Sequence, residues 1–219
     1  MSARNSRHSP VMFFVAGPSG GGKSTFVQIL SSLLFLLGDY KVLVLSTDDY
    51  YCDLSHLPPK KRTKVNFDTP RAIDFELLYT HLLCIRDGRS FQKPRYSFVI
   101  HAQDGFETIN PSEFDVIIIE GILVFTDQRI VQLAGEASAF VDVAQAVCFL
   151  RRLIRDRQAR GRSTWSVTTQ YLKTVLPGWL KYVEPSAKHA KIRVRGGGYD
   201  PVGILNALTF LKRELEMRK

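Results

Sequence analysis

The sequence predicts an α/β domain, a parallel sheet of about five strands covered by helices on both faces. Three observations predict it. Short, largely apolar strand-like segments at 11–16, 41–45, 114–119 and 139–143, with a last short strand at 190–194, alternate with stretches whose apolar residues recur at helical spacing. The clearest of these runs, 114–119, is β-branched and apolar on both faces, as a strand buried between two helical layers requires. The first run ends in a glycine-rich turn, Gly17-Pro18-Ser19-Gly20-Gly21-Gly22-Lys23-Ser24, that opens directly into a helical pattern.

Taken in order, 11–16 is a buried strand and 23–37 a helix that Gly38 stops. The second strand, 41–45, breaks at Ser46-Thr47-Asp48-Asp49, and the polar, proline-bearing stretch 53–69 reads as a loop or short irregular helix. A helix over 72–86 ends at Asp87-Gly88. Alternating, aromatic segments at 91–100 and 106–109 predict a β-hairpin flap, with its turn at Asp104-Gly105. The strand 114–119 ends at Glu120-Gly121, and 139–143 is a further strand feeding a helix over 144–158. Residues 164–182 are helical in pattern, although Pro177 should end or kink that helix. A last strand at 190–194 leads to Arg195-Gly196-Gly197-Gly198, and 202–217 closes the chain as a helix.

The chain's 219 residues suit one such domain over 11–219, preceded by a polar segment 1–10, with the flap at about 91–110 and a mobile lid at about 151–165. The longest apolar stretch, 29–37, is interrupted by serines and too short to span a bilayer, and residues 1–10 lack a signal-like apolar core. Cys52, Cys84 and Cys148 are scattered and without metal-ligand spacing, so reduced thiols in a cytoplasmic protein are expected. A net charge of +9, gathered at 60–64 and 151–162, fits either a polyphosphate substrate or nucleic acid.

The glycine-rich turn matches a P-loop, in the strand–turn–helix context the motif requires. Gly17, Pro18, Ser19, Gly20, Gly21, Gly22, Lys23, Ser24 and Thr25 are its candidate nucleotide-binding residues. Backbone N–H groups cradle the phosphates, Lys23 reaches the terminal ones and the Ser24 hydroxyl ligates Mg²⁺. Glu120, at the end of a buried parallel strand, is placed to hold that metal, or else merely caps the strand. Asp48 and Asp49 follow the second strand, and either carboxylate could orient an acceptor hydroxyl and take its proton. The arginines at 151, 152, 155, 157, 160 and 162 suit a lid that neutralises a transferring phosphoryl group; a solvated basic helix or an RNA-binding arm would have the same composition.

Several blocks beyond the P-loop occur in a recognisable order. They are Leu45-Ser46-Thr47-Asp48-Asp49-Tyr50-Tyr51; Asn66-Phe67-Asp68 with Pro70; Tyr96 with His101; and Glu120-Gly121-Ile122-Leu123. Arg151-Arg152, Arg155-Asp156, Arg160-Gly161-Arg162, Gln170-Tyr171, and Glu184-Pro185 with Lys188, His189 and Ala190 complete the set. From Val15 to near the C-terminus the chain resembles the uridine–cytidine kinases, within the group that includes phosphoribulokinase.

That resemblance implies a P-loop NTPase fold and transfer of a phosphoryl group from ATP (or GTP), with Mg²⁺, to the 5′-hydroxyl of uridine or cytidine. It makes Asp48 the catalytic carboxylate and a further candidate metal ligand. Asp68 and Arg152 become ribose ligands, Tyr96 and His101 frame the base edge, and Tyr51 and Phe67 wall the pocket. Arg162 and Gln170 fall at further acceptor positions, and Arg155 and Arg160 at the transferring phosphates. The partner it implies is a small nucleoside, with neither nucleic acid nor membrane, and the assembly a homo-oligomer, a tetramer. The rival readings are a kinase of a phosphoribulose-like sugar phosphate, for which residues 60–64 could supply a basic subsite, and a non-catalytic, ATP-switched RNA-binding protein. The chain departs from the family's pattern at Ala102-Gln103, at the apolar stretch 143–147, and in a longer loop at 195–199 expected to lie against the adenine.

Overall fold

The computed structural model describes residues 9–218. The polar segment 1–10 therefore lies outside the described residues except for its last two, as does the side chain of Arg160. Strands β1 (Val11–Ala16), β2 (Val42–Ser46), β5 (Val116–Glu120), β6 (Ser138–Asp142) and β7 (Ile192–Arg195) form one sheet in the order β2-β5-β1-β6-β7. Every pairing within it is parallel. Strands β3 (Phe91–Ser97) and β4 (Ala102–Ile109) form a separate antiparallel hairpin.

Helices α1 (Lys23–Gly38), α2 (Pro59–Arg62), α3 (Phe75–Arg86), α4 (Gln128–Ala134), α5 (Gln145–Arg160), α6 (Thr164–Gln170), α7 (Leu176–Gly178), α8 (Glu184–Ser186) and α9 (Pro201–Glu216) complete the chain. The sheet divides two apolar clusters. Phe13, Val15, Ile118 and Val141 face Phe26, Leu30 and Leu211 of α1 and α9. Phe14, Ile117, Ile119 and Phe140 face Leu78 and Leu82 of α3 and Ile130 of α4. This two-sided burial is why the strands read as apolar runs without alternation.

The predicted α/β architecture is the one observed, with two local corrections. The hairpin turns at Phe98–His101, with His101 in the left-handed region at φ +47, and not at Asp104-Gly105. Gly105, at φ +86, lies inside β4 near the register shift between Pro94 and Tyr96, where a bulge needs its freedom. Nor does Pro177 end its helix. Two π-helical turns, Tyr171–Val175 and Trp179–Val183, flank α7 and absorb the missing N–H, so the chain stays helical from α6 to α8.

The register brings Ser46, Glu120 and Val15 level at the carboxyl edge of the sheet. That edge is where an α/β fold offers a ligand crevice.

Candidate active site

The P-loop runs off β1 at this edge. Gly22, at φ +95, forms the N-cap of α1 with no side chain capping it and no acidic residue in the first turn. The first amides of α1 are therefore left for an anion. Lys23 folds back along the loop, its Nζ donating to the carbonyls of Gly17 and Pro18 at 3.2 Å each. The glycine-rich segment 196–198 packs directly on the loop, since a Cβ on Gly198 would sit 2.5 Å from the Phe26 amide nitrogen and 2.6 Å from the Gly22 oxygen. Arg151, given no separate role by its position in sequence, donates to the Gly21 carbonyl at 3.5 Å and joins the loop's wall.

A cleft of about 370 Å³ opens beside the loop, bringing Lys23, Ser24, Asp48, Glu120 and Arg155 to one place. Burial, reinforced by the charge of Glu120, pushes the Asp48 carboxyl up to about 6, against the opposing pull of Lys23 and a hydrogen bond with Tyr51. A carboxylate so poised is matched to accepting a proton near neutrality. The geometry also separates the two aspartates. Asp49 turns away to the flap, where Lys93 Nζ meets its Oδ2 at 2.7 Å, while Asp48 lines the cleft. Ser46 Oγ donates to Glu120 Oε1 at 3.2 Å, which steadies that acid at the strand end. Two carboxylates and a hydroxyl around a phosphate cradle are hard oxygen donors. They suit Mg²⁺, which commonly takes one or two carboxylates and leaves its remaining positions to phosphates and water.

Beyond Asp48 lies a cluster of packed rings. The Tyr51 ring contacts Phe67 at 5.0 Å and Tyr96 at 5.3 Å between centroids, and His101 stacks on Phe67 at 5.4 Å and 22°. Phe98, which the sequence reading passed over, joins the cluster 5.5 Å from Tyr96. Tyr96 Oη and His101 Nδ1 are buried and have no hydrogen-bond partner among the described residues. Burial also lowers the His101 pKa, which favours the neutral ring. Unmatched polar atoms among aromatic rings suit a flat ligand with a polar edge.

Beside the rings the site is polar, with Asp68 near Tyr51. Asp68 is buried, accepts from Thr174 Oγ1 at 2.9 Å, and has its carboxyl pushed up by burial, which Thr174 and Arg152 oppose. Arg152 donates to Ser19 Oγ at 2.8 Å and to Gln170 Oε1 at 3.0 Å, joining the P-loop to α6. Arg162 also donates to Gln170 Oε1 and to Ser166 Oγ.

Beneath these arginines sits Asp156, fully buried, with Arg155 at 2.9 Å, Arg162 at 3.4 Å and Arg152 at 3.7 Å. It is four residues from Arg152, the one signal that could have marked it as the anchor of the arginine cluster. Thr174, four residues after Gln170, carried a similar signal. Lys60, Lys61 and Lys64 face solvent, and Arg62 is spent on the carbonyls of Ser55, Leu57 and Ile100.

Comparison with known proteins places the chain in a family. Residues 12–200 match the model of the phosphoribulokinase/uridine kinase family. A uridine kinase of Aliivibrio salmonicida is 40% identical over 92% of this chain and 94% of its own length. One from an Enterobacter species is 41% identical over 90% and 92%. Among solved structures, phosphoribulokinase of Rhodobacter spheroides superposes with a TM-score of 0.60 at 16% identity, covering 87% of this chain and 71% of its own, a likeness of fold. A possible uridine kinase of Bacillus stearothermophilus does so with a TM-score of 0.53 at 21% identity, over 87% and 91%. The chain belongs to the phosphoribulokinase/uridine kinase family.

Proposed function

We propose that the chain is a uridine kinase, moving the γ-phosphoryl group of ATP to the 5′-hydroxyl of uridine or cytidine. One observation carries this reading. Asp48 lines the phosphate cleft, facing Lys23 of the loop, and is hydrogen-bonded to Tyr51 of the ring cluster. The rings of Tyr51, Phe67 and Tyr96 enclose the base, with Tyr96 Oη and His101 Nδ1 at its polar edge. Asp68 and Arg152 hold the ribose hydroxyls, with Arg162 and Gln170 supporting them.

Held in this way, the 5′-hydroxyl faces Asp48, which takes its proton as the oxygen attacks phosphorus in line. Lys23 and Arg155 balance the charge that spreads over the transferring oxygens and the leaving diphosphate. Ser24, Glu120 and Asp48 would hold Mg²⁺, which supplies charge neutralisation at the phosphates when bound. The cluster of rings favours a base over a second phosphate and so a nucleoside over a phosphoribulose-like acceptor. The cytosol, where the donor is made and the free Cys52, Cys84 and Cys148 stay reduced, is the compartment this reading proposes.

Product analysis tests the acceptor atom. Incubation with ATP and uridine should give the monophosphate esterified at O5′, and 5′-deoxyuridine should give no phosphorylated product. Phosphorylation of 5′-deoxyuridine would overturn the assignment.

A further inference from the structure

The flap that encloses the base is tied by charge to the turn that carries Asp48. Lys93, on β3 three residues before Tyr96, is only 12% exposed in its side chain and meets Asp49 at 2.7 Å. Asp49 lies in the single helical turn Thr47–Tyr50, and the residue before it is Asp48. The same turn is held from its other side by backbone. The Asp74 N–H donates to the Tyr50 carbonyl at 2.8 Å and that of Cys52 to the Ala72 carbonyl at 2.8 Å, and Tyr51 bridges to Ile73. On the flap side, Lys93–Asp49 is the short polar link. Among the described residues the other acid paired with the ammonium is Glu107, its cross-strand neighbour on β4, more than half exposed and 3.5 Å away. An ion pair this sheltered is costly to break from one side, because the partner left behind keeps its charge in a poor solvent.

We propose that the Lys93–Asp49 pair is a latch that fixes the catalytic turn to the flap, so that closing the flap over a base sets the position of Asp48. Both are positioning residues, acting through Asp48 and not on substrate themselves. The proposal rests on the nucleoside-kinase reading for its purpose, but the mechanical link can be measured without it.

The experiment uses the full chain as wild type, K93M, D49N, the double variant and E107Q. Three results are expected. K93M and D49N each lower kcat for uridine by about tenfold, within the range that contacting residues give in double-mutant cycles. The double variant loses no more than the worse single, and KM for ATP stays within about twofold of wild type because the P-loop is untouched. E107Q leaves the kinetics unchanged. Hydrogen exchange at residues 47–51 should quicken in K93M and D49N alike.

Unchanged kcat in K93M, losses in the two singles that multiply in the double variant, or unaltered exchange at 47–51 would overturn the latch. If a single variant fails to fold, the charge-swapped D49K/K93D protein decides, with recovered turnover expected and absent turnover in a folded protein contrary. A wild type without nucleoside turnover would defeat the functional reading alone, since the exchange measurement still judges the latch.

Discussion

Asp48 shows what single residues can and cannot reveal in a sequence. Its pairing with Asp49 left two carboxylates equally able to serve, because the residue that separates them, Lys93, lies 44 positions away. Removing the carboxylate's basicity tests its role. Asp48→Asn should lower kcat by about 10²–10⁴-fold, the usual worth of a positioned base, while nucleotide binding by calorimetry stays intact. Near-normal turnover would remove Asp48 from the mechanism. Gly178 was invisible as a functional residue, since its backbone is ordinary helix. Yet a Cβ there would lie 2.3 Å from the Asp68 carbonyl oxygen. Gly178→Ala should therefore displace Asp68 and raise KM for uridine several-fold with KM for ATP unchanged; equal changes in both would argue for general disruption.

At the scale of elements, legibility followed burial. The central strands of the main sheet announced themselves because both faces are packed, whereas the flap's turn did not, because His101 takes a left-handed position usually given to glycine or asparagine. The π-helical turns around Pro177 carry no local signature, being a compromise between a missing amide and continued packing. Helix α4 was missed for being short, although Asp127 caps it by accepting from the amides of Arg129 and Ile130. Asp127→Ala should cost about 1 kcal/mol, measured by urea denaturation. Hydrogen bonds from Arg129 hold the Asp127 carboxyl below the ordinary carboxylate range. A depressed folded-state pKa gives stability that is present above the unfolded value and lost as pH falls through the folded one. The gap between wild type and variant should therefore narrow in acid. A constant gap down to the lowest pH at which both fold would contradict the cap's charge.

For the whole molecule, the motifs that looked separate in sequence converge on one edge of the sheet. β1 delivers the P-loop, β2 the catalytic turn, β5 its acid, and the arginine helix α5 closes the side. Part of the basic clusters has structural work: Arg152, Arg155 and Arg162 gather on Asp156, and Arg62 braces the flap's tip. What the residues alone left open was the acceptor, because a pocket's shape comes from rings brought together across 50 positions of chain. Steady-state phosphorylation with ATP and Mg²⁺, comparing uridine, cytidine, 2′-deoxyuridine and ribulose 5-phosphate, tests the central claim most directly. The account predicts turnover of uridine or cytidine, a marked loss with 2′-deoxyuridine as Asp68 and Arg152 lose their partner, and none with the sugar phosphate. Turnover of ribulose 5-phosphate with neither nucleoside accepted would contradict it.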